Sequence, residues 1–210
     1  GDDVYLYENE KQIATYHFLR QQGKKAKANR CLADFVAPLT SGKQDYMGSF
    51  VCTAGLGIEK QLAVFEKDND DYNSIMLKVI ADRLAEALTE YMHEKIRKEI
   101  WGYASDEKFA NEDLIAEKYK GIRPAPGYTA CPDHTEKEKI FSLLNAEQIG
   151  VKLTENMAMH PNATVSGYYF AHQDAKYFSV GKVQDDQIAD YAKRKNITTK
   201  KVEKWLRSNI

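Results

Sequence analysis

Residues 70–102 read DDYNSIMLKVIADRLAEALTEYMHEKIRKEIWG, and the reading of this stretch decides the class of fold. Between Tyr72 and Trp101 the apolar residues Ile75, Met76, Val79, Ile80, Leu84, Leu88 and Tyr91 recur at three- and four-residue steps. That is the period of an amphipathic α-helix. Good helix formers fill the gaps, and neither Pro nor Gly interrupts before Gly102. Asn69, Asp70 and Asp71 stand at the start, where a short polar side chain accepts from open backbone N–H groups. The spacing predicts one long helix.

Upstream the pattern changes to strands. Val4 and Leu6, then Tyr16 and Phe18, alternate with polar neighbours on either side of Glu8-Asn9-Glu10-Lys11, a hairpin turn. A basic stretch at 21–30, containing Gly23, reads as a solvated loop. Residues 31–36 and 46–52 are apolar runs rich in aromatic and β-branched residues, which suits a pleated surface. Residues 58–67 fit a short helix. Downstream, 111–119 reads as a helix capped by Asn111, and 121–132 holds three of the five prolines and is irregular. Thr135 with Glu138 makes a capping-box pattern that opens a helix to about residue 145. Residues 151–159, 164–171 and 177–180 are strand-like, and helices near 185–194 and 199–207 close the chain. Strands at both ends of a helical middle, without βαβ alternation, predict an α+β fold with an antiparallel sheet in one domain.

Composition narrows the function classes. Thirty Lys and Arg against thirty-one Asp and Glu leave a net charge of −1, so no global field steers the chain to nucleic acid or to a membrane surface. At 43% hydrophobic residues over 210 positions the chain is too apolar to be disordered. Its apolar runs fall far short of the ~20 residues of a spanning helix, and no signal peptide opens it. Cys31, Cys52 and Cys131 are odd in number and widely spaced, which argues for reduced thiols in a cytosolic compartment.

Among candidate sites, Gly121-Ile122-Arg123-Pro124-Ala125-Pro126-Gly127-Tyr128 is the most unusual. Two prolines stiffen it, Gly127 permits positive φ or close approach, Arg123 offers a fork for a carboxylate, and Tyr128 offers a ring and a hydroxyl. The plain alternative is a structural turn between helices. Asp82 and Glu86 stand four apart on one side of the long helix, with His93 and Arg97 further along the same strip. Such a strip is either a solvated face, balanced by Arg83 or Lys78, or an acidic contact surface. Gly55-Leu56-Gly57 lacks the third glycine of a dinucleotide fingerprint, since Lys60 takes its place. Cys131 and His134 have no second close pair to complete a zinc site. Ser166-Gly167-Tyr168-Tyr169-Phe170 and Lys176-Tyr177-Phe178 are aromatic-rich, and adjacent Tyr177 and Phe178 would face opposite ways on a regular strand.

Taken together these segments resemble the C-terminal activation domain of cobalamin-dependent methionine synthase. The resemblance rests on residues 31–38, on Asp71-Tyr72-Asn73, on 81–87, on Trp101-Gly102-Tyr103, on 121–137, and on the two aromatic segments. Residues 123–128 carry the family's R-x-x-x-G-Y signature, with Thr129 where proline is common. The resemblance implies a C-shaped α+β domain with a twisted antiparallel sheet and a long central helix. It implies an S-adenosylmethionine-binding module that remethylates reduced cobalamin, the cobalamin being bound by another domain, with a flavodoxin-type electron donor as partner. Zinc belongs to the full-length enzyme only. Arg123 would bind the ligand's carboxylate, while Ala125, Gly127 and Tyr128 would line its methionine and sulfonium end. Tyr177 and Phe178 would lie beside the adenosine, Glu117 near the sulfonium, and Asp82 and Glu86 against the docked cobalamin domain. The family extends further upstream, where a carboxylate meets the ligand's amino group; the resemblance implies that residues 1–210 lack that part and bind the ligand more weakly for it. A docking module that binds no small molecule is the rival reading.

Overall fold

The computed structural model describes residues 1–24 and 27–210; Lys25 and Ala26, inside the basic 21–30 stretch, lie outside the described residues. Strand β1 (Asp3–Glu8) pairs antiparallel with β2 (Lys11–His17). Asn9 and Glu10 join them with φ of 48° and 67°, the double positive φ of a type I′ hairpin turn. Val4 and Tyr16 face each other on the buried side. The 31–36 run is not a strand: Leu32–Phe35 form a 3-10 turn. Asp34 explains it, since its carboxylate accepts from the Cys31 N–H at 2.8 Å and grips the Arg20 guanidinium at 2.6 and 2.8 Å.

Strand β3 (Gly48–Thr53) pairs antiparallel with β6 (Thr164–Tyr169), while β4 (Lys152–Leu153) and β5 (Met159–His160) make a small hairpin. The antiparallel architecture is therefore α+β as expected, with the sheet divided into three two-stranded ladders among the described residues. Residues 177–180 do not form a strand. They are tied to the irregular 125–131 turn by the Val180 N–H, which donates to the Thr129 carbonyl at 2.8 Å, rather than by a strand ladder. The core gathers Tyr16, Phe18, Leu32, Ile140, Tyr168, Phe170, Tyr191 and Leu206. Tyr168 stands edge-on to Tyr16 at 4.8 Å and to Phe18 at 5.5 Å.

Helix α1 (Glu59–Lys67) leads to the long helix α2 (Asp71–Lys95), which continues through a π turn, Ile96–Ile100. Asp70 caps α2, its side chain accepting from the Asn73 N–H, and Gly102 ends it at φ +74°. The apolar stripe is not what α2 buries. Ile75 is 61% exposed, Leu84 57% and Tyr91 53%, whereas Ser74, Ala81, Ala85, Thr89 and His93 face inward. Small residues let the helix approach β3 and β6 closely, with Ala81 and Ala85 packed on Ala163, Ala54 and Val165.

Helix α3 (Asn111–Ile115) is shorter than expected and is capped at Ala110, with Asn111 already helical; Asp113 reaches back to the Ala110 N–H at 3.3 Å. Helix α4 (Lys137–Leu144) follows a 3-10 turn, His134–Glu136. The Thr135–Glu138 capping box does not form, because Asp133 caps instead and takes both the Thr135 N–H and hydroxyl at 2.8 Å. Helices α5 (Asp185–Lys195) and α6 (Thr199–Trp205) close the chain. None of the helices among the described residues is long and apolar enough to cross a membrane.

Candidate functional site

The segment after Gly121 runs along the edge of β6 opposite β3. Ile122 and Phe170 exchange both backbone bonds at 3.0 Å, and the Tyr168 N–H donates to the Pro124 carbonyl at 2.9 Å. Gly167 makes this possible: a Cβ there would stand 2.7 Å from the Pro124 oxygen. Burial then alternates as on a strand, with Ile122, Pro124 and Pro126 inward and Arg123, Ala125 and Gly127 on the more open side. Residues 125–128 make a turn closed by the Tyr128 N–H on the Ala125 carbonyl at 3.2 Å. Pro126 sits second and Gly127 third at φ +94°, the residue pattern of a type II turn. The His134 ring lies beneath Gly127, so close that a Cβ would stand 2.6 Å from its Nδ1. Lys137 Nζ donates to that Nδ1 at 2.9 Å. Burial, and then the Lys137 charge, lower the His134 pKa.

Arg123 reaches from this segment to α2. Its Nη1 donates to the Tyr119 hydroxyl at 2.9 Å and to His93 Nδ1 at 3.3 Å, and Glu90 Oε2 lies 2.5 Å from Nη2. The Tyr177 hydroxyl accepts from the Arg123 backbone N–H at 3.0 Å. Arginine has only donors, so His93 accepts through a bare Nδ1 and is neutral. Burial, with Arg97 and Arg123 adding repulsion, pushes its pKa down to about 2. Tyr119 is itself held, with the Arg97 guanidinium 4.3 Å over its ring and Arg97 paired to Glu107 at 2.6 Å. The Nε–Nη2 edge of Arg123 meets only Glu90 among the described residues. That edge is a fork of the kind a carboxylate takes.

Around this centre the other candidate residues divide. Glu117 is exposed, and its charge helps raise the pKa of both Tyr119 and Tyr177, behind burial, so it belongs to the same neighbourhood. Tyr177 is 38% exposed, whereas Phe178 is buried against Phe35 and Val180-side core. The structure thus turns Phe178 away from the open side, and its carbonyl accepts from the Thr129 hydroxyl at 3.2 Å. Tyr128 projects outward at 71% exposure. Asp82 and Glu86 are exposed on α2, and Arg83 pairs with Glu86 at 2.7 Å. His93 and Arg97, on the same strip, are wholly buried, because the 119–123 segment covers that end of the helix. Sequence reasoning missed Glu90 and Tyr119. Glu90 continues the four-residue step from Asp82 and Glu86, and that was its only signal. Cys131 and His134 join no group of three or more metal-ligating side chains among the described residues. The three cysteines are free and buried. An apolar cleft of about 290 Å³ adjoins this cluster through Tyr169, whose ring stacks on His93, and lies between β3 and the C-terminal half of α2, lined also by Phe50, Cys52, Met92, Ile96 and Ile149.

The family model for the activation domain of vitamin B12 dependent methionine synthase matches residues 1–196. A solved structure, the crystal structure of the MetH reactivation domain bound to AdoHcy, is similar at a TM-score of 0.97 and 53% sequence identity. The match covers 100% of this chain and 66% of that one, so the present chain spans just under two thirds of its relative's length. With its R-x-x-x-G-Y segment laid along β6 and the arginine anchored on the long helix, the chain belongs to the activation-domain family of vitamin B12-dependent methionine synthase.

Proposed function

We propose that this chain binds S-adenosylmethionine and presents its methyl group to reduced cobalamin carried by another domain of the same enzyme. The observation that carries the reading is Arg123: a guanidinium fixed at Nη1 by Tyr119 and His93 and paired at Nη2 with Glu90, in a residue that opens the stiff turn and whose backbone N–H is held by half-exposed Tyr177. Its residues suit an amino-acid-bearing ligand. Arg123 takes the carboxylate, Ala125 and Gly127 offer backbone groups on the open side of the turn, and Tyr128, Tyr177 and Glu117 stand around them. Phe178 supports this wall from the core. The AdoHcy-bound relative at 53% identity supports the same ligand class.

When bound, the ligand supplies an activated methyl on a sulfonium. The side chains here hold and aim it, and such orientation supplies much of the rate of a transfer between two bound groups. Asp82 and Glu86 offer an exposed acidic line toward the cobalamin-carrying domain, with the outward apolar residues of α2 beside it. A flavodoxin-type donor, the enzyme's zinc and a cytoplasmic setting belong to the whole enzyme as proposed. Titration calorimetry on Arg123→Ala tests the site. Loss of a charge-assisted contact worth ~1.5–3 kcal/mol should weaken S-adenosylmethionine binding about tenfold to a hundredfold. Unchanged affinity in a folded variant would leave only a docking role.

A further inference from the structure

We propose that Glu90 and His93 are positioning residues that fix the plane of the Arg123 guanidinium for the ligand's carboxylate. This rests on the reading of Arg123 just given. A guanidinium recognises a carboxylate through two parallel donors, so the setting of its plane matters as much as its charge. Glu90 and His93 stand three residues apart on one side of α2, and both therefore reach the same group. Each holds a different nitrogen: His93 Nδ1 is 3.3 Å from Nη1, and Glu90 Oε2 is 2.5 Å from Nη2.

The holder is itself held. The His93 ring lies parallel to Tyr169, with centroids 5.3 Å apart and planes 18° apart, and edge-on to Tyr119 at 4.9 Å. Because Nδ1 accepts, the proton sits on Nε2, which is buried without a partner among the described residues, as is Glu90 Oε1. Buried polar atoms left unpaired are rare and costly. A helix end evolved for packing alone has apolar residues of the same shape available. The pair is explained by what its other atoms grip.

The test is calorimetric titration of this chain with S-adenosylmethionine and with its decarboxylated analogue, which differs only in lacking the carboxylate. Glu90→Gln and His93→Phe, the latter keeping a flat ring on Tyr169, should each weaken S-adenosylmethionine about tenfold and leave the analogue within about twofold. In an Arg123→Ala background neither should cost anything further. His93→Gln, whose amide oxygen accepts in place of Nδ1, should recover most of the loss. Equal weakening of both ligands would mean general damage and would overturn the proposal. So would unchanged or tighter S-adenosylmethionine binding, the latter marking Glu90 as a competitor for the fork. If the parent chain itself binds the two ligands equally, the reading of Arg123 fails, and the positioning role with it.

Discussion

At residue 127 two constraints meet. The backbone sits at φ +94°, where an L side chain is strained, and the His134 ring fills the space a Cβ would need. The first constraint follows from the Pro-Gly turn and is readable from the dipeptide alone. The second depends on a ring from seven residues downstream and is not. Gly127→Ala should therefore destabilise the fold by ~1–3 kcal/mol, read as a lower midpoint in urea. A midpoint equal to that of the parent would show that the turn yields and that His134 is not its floor. Arg123 stood out in the sequence as a fork of donors on a proline-stiffened segment, but that pattern alone suits a structural turn equally, and its proposed ligand role comes from the family resemblance. Glu90 was not legible. A carboxylate on a charged helix strip looks like any other until the segment covering it is known, and here that segment lies some thirty residues downstream in sequence.

For the long helix, period and phase are separate questions. Recurrence at three and four residues fixes the helical period, and the cap at Asp70 and the stop at Gly102 were both visible in the sequence. The phase was hidden, because Ser74, Ala81, Ala85 and Thr89 recur with the same period as the large apolar residues. Close packing on β3 and β6 selects the small set, leaving Ile75, Val79, Leu84 and Tyr91 outward. Two substitutions one residue apart check this. Ala85→Leu forces bulk against the sheet and should cost ~1–3 kcal/mol. Leu84→Gln, on the exposed side, should change stability by less than about 0.5 kcal/mol. The opposite ranking in chemical denaturation would mean that the helix buries its large residues. A similar ambiguity affects 31–36 and 177–180. Their composition suits strands, but Asp34 captures one backbone for a 3-10 turn, and the other has only an irregular neighbour to pair with.

Across the whole molecule, two buried polar assemblies join distant parts of the chain, and they respond to acid in different windows. In one, Lys195 of α5 binds Asp133 at 2.6 Å and Glu136 at 2.7 Å, and Glu136 accepts the His17 N–H of β2 at 3.0 Å. Burial opposes ionisation of Asp133, but Lys195 and the hydrogen bonds from the Thr135 N–H and hydroxyl together outweigh it and hold the carboxyl below its usual range. A depressed carboxylate contributes stability above its unfolded pKa of ~4 and loses it as pH falls further. The other assembly is that of His93. Burial first, then Arg97 and Arg123, bring its pKa down to about 2, against ~6.5 when unfolded. Between those values the unfolded chain binds a proton that the folded chain refuses, so stability falls as pH drops below ~6.5. His134, lowered by burial and Lys137, adds to the same slope. Each such proton contributes up to ~1.4 kcal/mol per pH unit. Unfolding free energies of the parent chain, measured in urea at several values between pH 7.5 and 4.5, should therefore decline before any carboxylate titrates. His93→Phe should remove about one proton's worth of that decline while keeping the steeper loss below pH ~4. If both proteins show the same slope across the upper window, then His93 takes up its proton in the folded state, and the Arg123 contact on its bare nitrogen cannot stand.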